Sequence, residues 1–543
     1  QYQADKPATK SEIDAAKKEV TKKEYTVFPT PQKVTYGDGV TALEGTVNLV
    51  FSDSLDIYTR NRAKEVLQAN NVSYTTSTKE AEGATNMFFG LTTLKHMLSE
   101  SPTPVLRDVT VEDYAEVKNR GFIEGYYGNP WTKQNREDLM RYGGELKLTQ
   151  YYFAPKDDPY HNAKWRELYP DEKLAEIRDL ALVGNETKTR YVWTIHPFMH
   201  NKMRFDTDAL YKQDLDVIKA KFTQLLDAGV REFGVLADDA AWPVGGYNSY
   251  NRLMHDLTDW LTEKQKTYSG LRKDMIFVPA WYMGQGTEDE LRTLNEHLPE
   301  TVHLTLTGGK VWGAVDQTFL TNLKRNLTEG GKKYNPIQFW INWPCNDNTK
   351  QHLILGGGEK FLHPNVDLSL AKGIMLNPMQ QSEASKVALF DMAQYGWKQW
   401  RSAEQAEEIN DMAFNYVVNG NFKESDVSKA FRELGKHMRN QNRPPQVTKL
   451  EESIELAPKL TAFYNKLKAG QNLDAERKEL KEVFAQLKAD AILLKEKGDK
   501  KLIEQIHYWL DNTVDQMNAL EALLTATEGL AENNSAKVWD NYY

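Results

Sequence analysis

Eight short apolar runs, each ending in a polar or glycine-containing loop and followed by an amphipathic segment, crowd residues 121–378 and limit the fold more than any other feature of this chain. They are GFIEG (121–125), TQYYFAPK (149–156), RYVWTIHP (190–197), EFGVLADD (232–239), MIFVPAWY (275–282), VHLTLTGG (302–309), IQFWIN (337–342) and KGIMLNP (372–378). Apolar runs of this length without polar alternation suit strands buried on both faces, as in a parallel sheet covered by helices. Helical spacing fills the gaps: Leu210, Ile218, Phe222, Leu225 and Leu226 share a face before Gly229, and Thr287 with Glu290 makes a capping-box signature. Eight strands alternating with helices over about 280 residues predict a (β/α)8 barrel.

The flanks read differently. Residues 1–24 are Lys, Glu, Ala and Gln with few apolar positions, and predict a flexible or loosely helical leader. In 25–117 the β-rich runs TVNLVFSDS (46–54) and TNMFFGLT (85–92), with a helical stretch at 58–70 between them, predict a small α+β domain. The barrel is assigned to 118–400. In 401–543 the β signal is gone: Leu480, Val483, Phe484, Leu487, Ala491 and Leu494 repeat at helical spacing, as do Ile503, Ile506, Leu510, Val514, Met517 and Leu524, which predicts a helical bundle.

Composition removes several functions. With 40% hydrophobic and 27% charged residues, the 543-residue chain resembles neither a disordered nor a membrane-spanning protein, and no membrane insertion is expected. A net charge of -9 argues against a nucleic-acid binder, whose footprint is a concentrated basic patch. Cys345 is the only cysteine, so neither an intramolecular disulfide nor a thiolate metal cluster can form within one chain. The chain opens at Gln1 without a signal segment, which suits a mature secreted or surface protein or a piece of a longer one. Thirteen Trp, 26 Tyr and 20 Phe suit both a large core and sugar stacking.

A (β/α)8 barrel carries its chemistry at the C-terminal ends of the strands. Those ends are Gly125, Tyr126, Lys156, Asp157, Asp158, Asp238, Asp239, Tyr282, Thr307, Trp340, Asn342 and Asn377. His196 and His200 have a spacing reminiscent of zinc ligands, but Pro197 intervenes, no Glu follows, and no metal is expected. Asp238–Asp239 is the sharpest feature, because adjacent ionised carboxylates repel and must be justified by something around them. Such a pair in isolation reads as a cap and a surface ion pair. At the end of a barrel strand it reads as the equipment of glycoside hydrolysis. Adjacency disfavours the opposed nucleophile and acid of ordinary retaining enzymes. It suits substrate-assisted hydrolysis, in which a 2-acetamido oxygen attacks while one carboxylate orients the acetamido group and the other is the acid/base.

The runs RGFIEGYYGNPW (120–131) and YYFAPKDDPYHNAKWRELYP (151–170), followed by Asp238–Asp239, resemble family 84 of the glycoside hydrolases, which includes O-GlcNAcases and bacterial β-N-acetylglucosaminidases once called hyaluronidases. Carried over by position, the resemblance gives Asp238 the acetamido group and Asp239 the acid/base role. It gives Gly125 and Lys156 the sugar hydroxyls, and Tyr282 the acetamido oxygen. Trp340 and Asn342 become pocket wall and polar contact, Asp347 and Asn377 further sugar ligands, and Thr307 a neighbour of the acetamido pocket. No cofactor is implied, and the implied partners are GlcNAc-bearing glycans or glycoproteins.

The chain departs from the family pattern at Ala240, Ala241, Trp242 and Pro243 after the Asp pair, at Leu306–Thr307–Gly308, at Trp340–Ile341–Asn342, and at Val278, which stands where a cysteine is frequent. Trp242 and Trp281 are aromatics near the mouth without an assigned role. The activity expected is that of a retaining exo-β-N-acetylglucosaminidase working through an oxazoline. The alternatives are an endo-acting hexosaminidase on hyaluronan or a related polymer, and a non-catalytic glycan-binding adhesin.

Overall fold

The computed structural model describes residues 1–80, 87–442 and 446–542. Among the described residues, four strands precede the barrel: β1 (Lys33–Ala42), β2 (Thr46–Ser52), β3 (Ser73–Lys79) and β4 (Val105–Glu112). β1 pairs antiparallel with β4, and β2 parallel with β3. The 1–24 segment contains a capped helix, Lys10–Glu19, in which Thr9 and Glu12 form a capping box. Its Ile13 and Ala16, with Val20, pack on Val105 of β4. Tyr2 exchanges backbone hydrogen bonds with Tyr74. The helix forms because its few apolar side chains share one face and find a sheet to cover.

The run TNMFFGLT is not a strand. Met87–Leu98 is a helix, and Thr85 and Asn86 lie outside the described residues. Phe88, Thr92, Thr93, His96 and Met97 are buried at three- and four-residue spacing, and the Arg62 guanidinium lies 5.0 Å over the Phe88 ring. A short apolar run carries too few periods to separate a strand from a buried helix. The stretch expected to be helical at 58–70 is the helix Ile57–Ala69, whose N-cap Asp56 accepts a bond from Thr59 N.

All eight predicted barrel strands form: β5 (Asn119–Glu124), β6 (Gln150–Phe153), β7 (Arg190–Ile195), β8 (Glu232–Leu236), β9 (Met275–Val278), β10 (Val302–Leu306), β11 (Ile337–Ile341) and β12 (Ala371–Leu376). Each pairs in parallel with the next, and β12 closes on β5 with Gly373 opposite Asn119 and Met375 opposite Gly121. Alternate residues point in and out, as strand geometry requires. Ile123, Tyr152, Val192, Leu236, Ile276 and Met375 fill the barrel. Phe122, Tyr151, Phe153, Tyr191 and Trp193 pack outward in the layer shared with the helices. Burial on both faces is why these strands read as continuous apolar runs.

Beyond the barrel the described chain is mainly helical. The long helices Asp474–Lys497 and Lys500–Ala531 bury the two predicted stripes, including Leu480, Phe484, Leu487 and Leu494 on one and Ile506, Leu510 and Leu524 on the other. The second helix also touches the barrel: Trp509 Nε1 donates to Gln351 O at 2.9 Å, and Gln505 bonds Ser382 and Glu383. No helix among the described residues is long and apolar enough to cross a membrane.

The expected Thr287–Glu290 capping box does not form. The helix is Asp289–His297, with Glu288 as N-cap. The Glu288 carboxylate accepts the backbone N–H groups of Gln285 and Gly286. Glu290 turns inward, only 1% exposed, and accepts Trp281 N at 2.8 Å, so it satisfies the donors of the loop after β9 in place of its own helix start. Burial pushes its carboxyl up to about 7. An unfolded Glu titrates near about 4.3, so between about pH 4.3 and 7 the folded chain binds the extra proton and stability falls as pH rises. Glu290→Gln keeps an acceptor for Trp281 and cannot ionise. The variant should therefore lose less of its thermal unfolding midpoint between pH 5 and 7 than the parent, and equal losses in the two would refute the assignment.

Candidate active site

At the end of β8, Ala237 N still bonds Val278 O at 2.7 Å, which extends the parallel pairing by one residue and delivers the next two residues to the mouth. Asp238 and Asp239 then diverge. Asp239 has φ +59°, a left-handed conformation that aspartate tolerates better than most residues and that is frequent at functional sites. This turn resolves the repulsion implied by adjacency, because the two carboxyl groups meet different surroundings.

Asp238 points inward, its side chain 12% exposed. Its Oδ2 lies 3.8 Å from Lys156 Nζ, at the end of β6. Its Oδ1 lies 3.4 Å from His196 Nε2, at the end of β7, and the same nitrogen is 2.8 Å from the Asp238 carbonyl oxygen. Burial alone would push the carboxyl up, but Lys156, His196 and His161 outweigh it and hold Asp238 below its ordinary value. Oδ1 is buried and accepts no hydrogen bond from a described residue. Asp239 is exposed at the mouth, where Tyr282, carried by the loop after β9, donates its hydroxyl to Oδ1 at 3.2 Å. Burial and the two neighbouring carboxylates raise the Tyr282 phenol, so it remains a donor at neutral pH.

The opposite wall comes from β11, β12 and β5. Trp340 Nε1 donates to Asn342 Oδ1 at 2.8 Å, and Asn377 Nδ2 donates to the same oxygen at 3.0 Å. Asn342 Nδ2 donates to Val311 O, and Gly125 N donates to Asn377 Oδ1. Gly125 is required here by close approach: a Cβ would stand 2.8 Å from the Trp340 ring. Asp347 accepts Tyr127 N at 2.9 Å, and the Lys156 ammonium lies 4.8 Å over the Tyr127 ring. Thr307 donates its hydroxyl to Lys310 O and its N–H to Tyr282 O, fastening the loops after β9 and β10.

These groups enclose a cavity of about 190 Å³, smaller than the roughly 300–1,000 Å³ of drug-sized ligand sites. Lys156, Asp238, Asp239, Tyr282, Thr307, Trp340, Asn342, Asp347 and Asn377 line it. Gly125 backs the wall behind Trp340. Three strand-end candidates lie elsewhere. Tyr126 is buried and donates to Asn129 O, Asp157 is exposed, and Asp158 accepts the Tyr169 hydroxyl. His196 serves the Asp238 segment, whereas His200 is exposed in the following loop.

The sequence reading missed Tyr127, Val311, Trp312 and Asn348 in the lining, and the cradling of Asp238 by His196. Tyr127 could have been found two residues beyond Gly125. Trp312 could not: its backbone is bonded to Gln446 and Thr448, far along the chain. A larger cleft, of about 1130 Å³, opens at the other end of the barrel between Phe88, Asp113, Arg120, Lys147 and Trp397. It contains none of the strand C-terminal residues, and barrel chemistry belongs to the opposite end.

A family model for β-N-acetylglucosaminidases matches residues 120–436. The protein O-GlcNAcase of Rattus norvegicus is 27% identical over 287 residues, which is 50% of this chain and only 29% of that relative's length. Among solved structures, CpGH84D superposes with a TM-score of 0.84 at 32% identity, covering 96% of this chain and 92% of its own. CpGH84B shares the fold, with a TM-score of 0.79 at 22% identity over 95% of this chain and 94% of its own. The family model spans more than half of the chain and coincides with the barrel and its mouth, and the chain belongs to the β-N-acetylglucosaminidase family, family 84 of the glycoside hydrolases.

Proposed function

We propose that the protein is a retaining exo-β-N-acetylglucosaminidase that removes terminal β-linked GlcNAc, O-GlcNAc-type linkages included, by substrate-assisted catalysis. The observation that carries this reading is the contrast between two adjacent carboxyl groups. Asp238 lines the cavity, buried and held charged, while Asp239 is exposed at its mouth.

In the first step the 2-acetamido oxygen attacks C1 as the bond from C1 to the glycosidic oxygen breaks. Protonated Asp239 delivers its proton to that oxygen, and Asp238 accepts the acetamido N–H and balances the positive charge on the forming oxazoline. Tyr282, beside Asp239, donates to the acetamido oxygen and fixes its line of attack. In the second step Asp239 takes a proton from water, whose oxygen attacks C1 as the oxazoline C–O bond opens. Two inversions give retention. Trp340, Asn342 and Asn377 close the cavity, and its small volume supports removal of one terminal sugar over cleavage within a polymer.

Two tests follow from these roles. Asp239→Ala should slow release of GlcNAc from alkyl glycosides by about 10²–10⁴-fold, the usual range for a general acid, and from aryl glycosides with good leaving groups far less. Asp238→Ala should slow both classes, because it disables the nucleophile, and equal losses across leaving groups for Asp239→Ala would remove it from the acid role. In the second test, sizing of the products from hyaluronan should detect no new oligosaccharides, and a ladder of them would establish endo action.

A further inference from the structure

After β8 the chain reverses in a turn whose two central residues are the carboxylate pair. Ala240 N donates to Ala237 O at 3.1 Å and closes the turn with Asp238 and Asp239 at its centre. Asp239 has φ +59°, whereas Asp238 is not among the residues of positive φ. Negative φ at the first central residue and positive φ at the second make this a type II turn. Such a turn ordinarily places glycine at the second position, because a Cβ in the left-handed region crowds a backbone carbonyl. Aspartate tolerates that region better than most residues, but a type I turn would suit it without the cost.

The two turn types differ by a flip of the central peptide, through about 150° in ψ of its first residue and about 170° in φ of its second. Here that peptide joins Asp238 to Asp239, and its oxygen is the Asp238 carbonyl. His196 Nε2 lies 2.8 Å from this oxygen. A carbonyl oxygen only accepts, so Nε2 carries the proton and donates it. Asp238 Oδ1, 3.4 Å from the same nitrogen, accepts no hydrogen bond from it. Flipping the peptide to a type I turn would swing the carbonyl away and strand a donor on a ring that is only 7% exposed, which is costly.

His196 is itself held in place. Ile195 before it is in register with Val235 of β8, and His196 N donates to His161 O at 2.8 Å. Its ring meets that of Phe198 edge-on at 6.3 Å between centroids. The donor is therefore a fixed point on the neighbouring strand, against which the turn is set.

We propose that His196 is a positioning residue for the general acid. By binding the Asp238 carbonyl it keeps the central peptide flipped, and the flipped peptide keeps the Asp239 carboxyl at the mouth beside the Tyr282 hydroxyl. This inference rests on the acid role proposed for Asp239 and adds the group that orients it. It also explains why aspartate stands where the backbone favours glycine: the reaction needs a carboxyl there, and a bond from β7 offsets the conformational cost. Lys156, whose ammonium lies 3.8 Å from Asp238 Oδ2, acts on the Asp238 charge and has no such hold on the peptide.

Two variants separate the donor from the ring. His196→Phe keeps a ring against Phe198 and removes the donor, whereas His196→Gln removes the ring and keeps an N–H. The test measures kcat/KM on methyl β-GlcNAc, whose leaving group needs the acid, and on an aryl β-GlcNAc with a good leaving group, and it determines the crystal structure of each variant. His196→Phe should lose about tenfold more on the methyl glycoside than on the aryl one, the scale of one hydrogen bond, and should show the Asp238 oxygen turned away with negative φ at Asp239. His196→Gln should recover most of the methyl glycoside activity and retain the positive φ. Equal losses on the two substrates for His196→Phe would make it a partner of the Asp238 carboxylate alone and overturn the proposal. Positive φ at Asp239 in that variant, or a His196→Gln as impaired as His196→Phe, would overturn it too. A wild type that releases GlcNAc from neither substrate would overturn the hydrolase reading and the acid role with it, and the turn in His196→Phe would still show whether His196 holds the peptide.

Discussion

Pairing of β12 with β5 closes the barrel, and the candidate site depends on that closure. Before it, the polar residues at the strand ends belong to eight separate segments. After it, Gly125 N donates to Asn377 Oδ1 across 252 residues of sequence, and the wall built on Trp340 and Asn342 is complete. The apolar interior of Ile123, Tyr152, Val192, Leu236, Ile276 and Met375 plugs the barrel beneath the mouth, so the cavity opens at one end only. Burial of this layer supplies the driving force, and parallel hydrogen bonding supplies the alignment.

Electrostatics then divides two residues that the sequence sets side by side. Lys156 and His196 arrive from the two preceding strands and hold Asp238 charged in a nearly closed environment. The left-handed backbone at Asp239 carries its carboxyl away to the rim and to Tyr282. Both effects follow from strand order in the barrel, because β6, β7, β8 and β9 are consecutive neighbours in the sheet.

The flanking regions support the site from outside. The helix Lys500–Ala531 is bonded through Trp509 to Gln351, four residues beyond Asp347, and through Gln505 to the start of the helix after β12. The N-terminal sheets lie at the other end of the strands, where Arg120 rests under Phe89 and Trp397. A segment near Val447 returns to the mouth and fixes Trp312 in the cavity wall.

The barrel was legible in the sequence because strands buried on both faces leave uninterrupted apolar runs whatever they pack against, and because polar tips such as Lys156, Asp238, Tyr282 and Asn342 stand where those runs end. The run at 85–92 misled because one short apolar stretch lacks the periods needed to reveal a helix, and Glu290 misled because a carboxylate that fits a capping box also fits a buried loop anchor. By itself, then, the sequence determined the order of strands and helices and the identity of the groups at the mouth, since these are local properties of composition and spacing. Only the tertiary structure decided which of those groups meet, that Asp238 is cradled and Asp239 exposed beside Tyr282, and that Trp312 and His196 join the site, because contacts between distant segments depend on closure and backbone geometry that no local pattern encodes.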